Sequence, residues 1–106
     1  MKPGQEATRL RIYLGEDKRH GEVPLYQVII AKARRGRLAG ATILRGTQGY
    51  GRSTRLHTAD VLFSDDLPVI IEIVEATETI AAFLKELAGL DGIGMITSET
   101  VTLPAW

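Results

Sequence analysis

Apolar and polar residues alternate from Thr8 to Leu14: Leu10, Ile12 and Leu14 fall on one side, Arg9, Arg11 and Tyr13 on the other. This two-residue period predicts a strand with one buried face. A charged turn follows over residues 15–22, and the period changes at Pro24, a residue suited to a first helical turn. Leu25, Val28, Ile29 and Ala33 recur at helical spacing, and the predicted helix stops near Gly36. Lys32, Arg34, Arg35 and Arg37 stand at its end, where cations suit the helix dipole.

Residues 41–45 read as a second strand that runs into Gly46-Thr47-Gln48-Gly49-Tyr50-Gly51, a stretch too rich in glycine to pack as a regular strand. From Gly51 to Asp66 the chain reads as a loop. Its few apolar anchors do little to offset the entropy of fixing it, so it is expected to be poorly ordered without a ligand. Leu67-Pro68 opens the β-branched run Val69-Ile70-Ile71-Glu72-Ile73-Val74, which fits a central third strand. Thr77 is a plausible N-cap for a second helix, with Ile80, Phe83, Leu84 and Leu87 on its apolar face and an end near Gly89. Residues 95–103 supply a fourth strand.

The order βαββαβ predicts an α+β, ferredoxin-like fold: a four-stranded antiparallel sheet with two helices on one face and the first and third strands in the centre. Leu10, Ile12, Leu14, Val69, Ile71 and Ile73 would then meet the helices. The opposite face carries Tyr13, Ile70 and Val74 beside Arg9, Arg11 and Glu72. Such a face is too apolar to leave in water and too charged to bury without partners, so an oligomer interface is expected there.

The chain has 106 residues, 44% hydrophobic and 25% charged, and reads as one globular domain over residues 1–106. Thirteen basic and thirteen acidic residues cancel, so no broad field steers it to nucleic acid or an anionic membrane. The lack of cysteine excludes disulfides, thiolate metal sites and cysteine nucleophiles, and fits a reducing compartment such as the cytoplasm. No secretory signal or bilayer-spanning run stands out.

Ser53, His57 and Asp60 supply the residue types of a hydrolytic triad, but one loop offers neither rigid support nor an oxyanion hole. No catalytic residue is assigned, and the chain is not expected to be an enzyme. His20 and His57 lack metal-ligand spacing, so no metal is expected. Gly46-x-x-Gly49-x-Gly51-Arg52 is more suggestive: glycines let backbone amides approach an anion, and Arg52 could pair with phosphate. The same glycines fit a simple turn, and their spacing matches neither the P-loop nor the dinucleotide fingerprint. Gly89, Gly92 and Gly94 precede the last strand and fit a helix cap equally well.

In order and approximate spacing, Gly40-Ala41-Thr42, Gly49-Tyr50-Gly51-Arg52, and Leu67-Pro68 followed by Ile71-Glu72-Ile73-Val74 resemble the PII nitrogen-regulatory proteins. From Arg9 to about Val101 the chain resembles still more closely the PII-like family of unknown-function domain proteins, through Leu44-Arg45-Gly46, Gly49-Tyr50-Gly51 and Ser64-Asp65-Asp66-Leu67-Pro68. The resemblance implies a homotrimeric regulator that binds an adenine nucleotide between subunits and signals to a partner protein, for which a membrane transporter or channel is the model. By position it implies Thr42 at the base and Leu67 near the adenine. Gly46, Gly49, Gly51 and Arg52 would lie on the phosphate side, and Gly92 and Gly94 in the loop that closes over phosphate.

Two departures modify this expectation. Met95 stands where PII proteins carry a phosphate-binding lysine after Gly94, and Val101, Thr102 and Leu103 replace their basic residues. Each lost charge-assisted contact removes about 1.5–3 kcal/mol, which favours AMP or ADP over ATP. The short loop after Gly51 also lacks the modifiable tyrosine of PII, so control by nucleotidylation is not expected. A structural trimer that binds no nucleotide, or a small enzyme of the same fold, is the alternative.

Overall fold

The computed structural model describes residues 2–51, 54–58 and 67–106, with the backbone alone described at residues 51 and 54–58. The alternating segment forms β1 (Glu6–Gly15). Two short strands, β2 (Arg19–His20) and β3 (Val23–Pro24), follow as a small ribbon inside the charged turn, closed by Gly21 at φ +62°. Helix α1 (Leu25–Arg35) starts directly after Pro24 and ends at Gly36. Then come β4 (Thr42–Arg45), β5 (Gln48–Gly51), β6 (Thr54–Thr58), β7 (Pro68–Glu75), α2 (Thr77–Leu87) and β8 (Ile93–Thr102).

Four strands form one antiparallel sheet in the order β4-β7-β1-β8, so the two most regularly patterned strands are central, as predicted. Leu10 lies opposite Ile73, Ile12 opposite Ile71 and Leu14 opposite Val69. Their side chains share one face and are buried beneath Leu25, Ile29 and Ala33 of α1 and Ile80, Phe83 and Leu87 of α2. Removing each large aliphatic side chain from water contributes about 1.5–3 kcal/mol, and this layer holds the helices to the sheet. Leu84, expected on the same helical face, lies at its margin and stays exposed.

Two sequence expectations are corrected. The glycine-rich stretch and the first part of the expected loop contain paired strands: β5 and β6 pair Gln48 with Thr58, Gly49 with His57 and Gly51 with Thr54. Glycine weakens a strand by withholding side-chain packing, but it keeps both backbone hydrogen-bonding groups, and a register irregularity between Gly49 and Gly51 absorbs the poor fit. Thr77 is likewise not the N-cap. Ala76 holds that position without a side-chain cap, while the Thr77 hydroxyl meets that of the buried Thr8 at 2.8 Å. A partner in the sheet holds that hydroxyl at the strand–helix junction.

The passage from α1 to β4 is tightly specified. Gly36, Arg37 and Leu38 donate backbone hydrogen bonds to Lys32, Arg34 and Ala33, and Arg37 takes the left-handed conformation at φ +58°. Ala39 N–H then donates to the buried Glu75 carboxylate at 2.7 Å, and Glu75 also accepts from Ala76 N–H at 2.9 Å. One carboxylate thus fixes the approach to β4 and the start of α2.

Candidate functional site

The ends of β1 and β4 and the starts of β7 and β8 lie at one end of the sheet, where backbone and side-chain bonds tie them together. Glu16 N–H donates to Leu67 C=O at 2.9 Å and Gly46 N–H to Pro68 C=O at 2.8 Å. Arg45 donates through Nε to Glu16 Oε1 at 2.9 Å, and this pairing raises the guanidinium pKa above its ordinary value. The corner between β4 and the hairpin is therefore anchored to both central strands.

The glycines predicted to line a phosphate site serve different structural needs here. A Cβ on Gly46 would come within 2.6 Å of Pro68 Cγ, and one on Gly49 within 3.1 Å of the same atom. Both are small because the chain folds closely over the Pro68 ring, and this packing accounts for them without a ligand. Gly92 has φ +103°, and a Cβ there would meet Leu25 Cδ2 at 3.1 Å and Lys18 Cβ at 3.4 Å. Conformation and space both require glycine at this position. Gly94 falls at the register shift where β1 passes from pairing Tyr13 with Met95 to pairing Leu14 with Ile93. Gly51 ends β5, while Arg52 lies outside the described residues, as do Ser53, Asp60 and residues 64–66.

Leu67 is half-buried at the start of β7, close to Gly46. Thr42 sits farther along the sheet, opposite Glu72. Within one chain, Gly46 and Gly49 follow the β4 edge, whereas Gly92 and Gly94 flank the start of the β8 edge. Three strand spacings separate these edges, about 14 Å at the usual interstrand distance. A single chain brings the two glycine segments to the same end of the sheet but not into contact across it.

The sheet face away from the helices is organised in rows. Thr42, Glu72, Arg11 and Thr97 are in register across the four strands, and so are Leu44, Ile70, Tyr13 and Met95. Arg11 Nε donates to Glu72 Oε2 at 2.9 Å, and Arg9 Nε to Glu99 Oε1 at 2.9 Å. The charges therefore find partners within the chain, and the expectation that they need another subunit is corrected. Cross-strand register provides what the linear sequence did not reveal. The neighbouring guanidinium of Arg9 holds Glu99 below its ordinary carboxylate pKa. What remains uncovered is the apolar row, with Leu44 46% and Met95 52% exposed.

A separate groove of about 450 Å³ lies between the helices, lined by Lys32, Arg35, Leu38, Thr79, Phe83 and Glu86. It shares no residue with the glycine end. Among the described residues, no three histidine or carboxylate side chains gather as a metal site, and no helix is long and apolar enough to cross a membrane. Sequence reading missed Glu16 and Lys18 as parts of this sheet end, and it named Pro68 as a strand start and family motif without its contact to the glycines. Nothing local linked Glu16 to Arg45, or Lys18 and Pro68 to the glycines, because strand pairing makes these contacts.

The fold matches that of CPII from Thiomonas intermedia K12, a nitrogen regulatory PII-like protein whose structure was solved with ADP, AMP and bicarbonate. The TM-score is 0.71 at 15% identity, covering 92% of this chain and 87% of that one. A second CPII structure, bound to ADP and bicarbonate, gives a TM-score of 0.68 at 17% identity, with 92% and 87% covered. The chain thus has the ferredoxin-like architecture of PII-like proteins. Residues 7–103 match the model of the DUF190 family, described as "Uncharacterized ACR, COG1993". A UPF0166 protein of Aquifex aeolicus is 34% identical over 93 residues, covering 87% of this chain and 88% of the relative. The chain belongs to this DUF190 (UPF0166) family.

Proposed function

We propose that this protein is a non-enzymatic PII-like regulator: a homotrimer that binds AMP or ADP in clefts between subunits and passes the signal to a partner protein. The reading rests chiefly on the two glycine segments, which share one end of a PII-like fold but lie on opposite sheet edges. A nucleotide of ordinary size can engage both segments if a second copy sets its β8 edge beside the β4 edge of the first. The solved neighbours of the same fold carry ADP and AMP, which supports an adenine nucleotide as the ligand.

The open sheet face favours assembly, because Leu44, Ile70, Tyr13 and Met95 form an apolar row that water covers poorly. The pairs Arg11–Glu72 and Arg9–Glu99 occupy the next two rows on one side of it and make that side polar. The Gly46 amide is taken by Pro68, so the Gly92–Gly94 segment holds the one or two phosphates without side-chain charge, and Met95 contributes no cation for a third; ATP therefore binds more weakly than AMP or ADP. The partner is a protein, with a membrane transporter or channel as the model, and the setting is the cytoplasm. A thermal-shift series with AMP, ADP and ATP tests the ligand, since binding to the native state raises its stability. No shift with any of them at millimolar concentration overturns the nucleotide reading in favour of a structural trimer.

A further inference from the structure

Between β1 and α1 the backbone of Lys18 holds the turn: its N–H donates to Gly15 C=O at 3.2 Å, and its C=O accepts from Leu25 N–H at 2.8 Å. The side chain has no part in those bonds. Its stem lies instead over Gly92, where an added Cβ would be 3.4 Å from Lys18 Cβ and 3.6 Å from Lys18 Cγ. Glycine at 92 therefore lets the lysine stem and Leu25 pack directly against this turn, whose φ of +103° is itself a conformation that favours glycine. Among the described residues, no ion pair engages the Lys18 ammonium.

A flexible four-carbon stem that is packed at its base and charged at its tip keeps its ammonium near the residues it covers. We infer that Lys18 supplies the cation for the second phosphate of a bound nucleoside diphosphate, acting together with the Gly92 turn, and so sets the preference of the site for ADP over AMP. This inference rests on the nucleotide reading above and goes beyond it by naming the residue that counts phosphates. The cation comes from the turn after β1, in place of a lysine at position 95. A charge-assisted contact from ammonium to phosphate forms with ADP and has no counterpart with AMP.

Calorimetry with AMP and ADP on the wild type, Lys18→Ala and Lys18→Arg tests the assignment, with thermal melting of each variant as a folding control. Lys18→Ala is expected to weaken ADP binding by about tenfold or more, the loss of one charged hydrogen bond, and to change AMP binding by less than about threefold. Lys18→Arg keeps the cation and retains most of the ADP preference. Equal weakening of both nucleotides, or unchanged ADP binding in Lys18→Ala, overturns the role of Lys18 and leaves the nucleotide reading standing. A wild type that binds neither nucleotide overturns both.

Discussion

Replacing Gly46 by alanine places a methyl group 2.6 Å from Pro68 Cγ, where carbon atoms prefer about 3.5–4.0 Å. The proline side chain has no rotatable arm to swing aside, so a change of ring pucker is its one means of yielding and the rest of the overlap of about 1 Å falls on the backbone. Either the corner between β4 and β5 moves, straining the 2.8 Å bond from Gly46 N–H to Pro68 C=O, or β7 shifts at its first residue. Overpacking of this kind costs about 1–3 kcal/mol. Gly49→Ala has 3.1 Å to the same ring atom and needs a shift of only a few tenths of an ångström, so its cost should stay below about 1 kcal/mol. Urea denaturation at one fixed protein concentration measures both variants and removes the concentration dependence of an oligomer. In the double variant Gly46→Ala/Pro68→Ala the offending ring carbon is gone, so the two changes should be coupled favourably by about 1 kcal/mol. The reasoning fails if Gly46→Ala lies within about 0.5 kcal/mol of wild type, or if the double variant is no better than the sum of the singles.

Glu75→Ala removes the acceptor for Ala39 N–H and should cost about 1–3 kcal/mol by urea denaturation, with Glu75→Gln distinctly milder because it keeps an acceptor oxygen. Ile70→Asp puts a charge in the apolar row, and light scattering after size exclusion should find it shifted from three times the chain mass toward smaller species or aggregates; an unchanged trimer contradicts the role of that face. Glu99 is held below the ordinary glutamate pKa by Arg9, so its pairing supports the fold above the titration of the unfolded carboxyl and is lost as pH falls through the lowered folded value. Carboxyl NMR titration should place Glu99 below ordinary glutamates, and Arg9→Gln should return it to them.

Strand and helix identity were readable where one side of an element faces the core. The clean alternation in β1 and the run in β7 specify central strands because a slip of one residue would turn Leu10, Ile12 and Leu14 to the wrong face. The β5–β6 hairpin was not readable in the same way. Its glycines register as breaks in a propensity scale, whereas the pairing is made by backbone groups that no side-chain pattern reports. The glycines themselves were visible, but the reason for Gly46 and Gly49 lies in Pro68, which comes beside them through the pairing of β4 with β7. Lys18 stood in a turn that looked merely charged, and its contact with Gly92 exists because β8 pairs with β1 and brings its leading turn to that place. The internal pairing of Arg9 with Glu99 likewise depends on register, which sequence distance hides.

The central claim is that two copies of the chain together form a nucleotide site. Titrating the purified protein with ADP in a calorimeter, on the same sample whose mass is measured by light scattering, tests it most directly. The account predicts one ADP per chain in a particle of three chains, with AMP and ATP both weaker than ADP. A monomer that binds ADP with full affinity, or a trimer that takes up no adenine nucleotide at millimolar concentration, contradicts it.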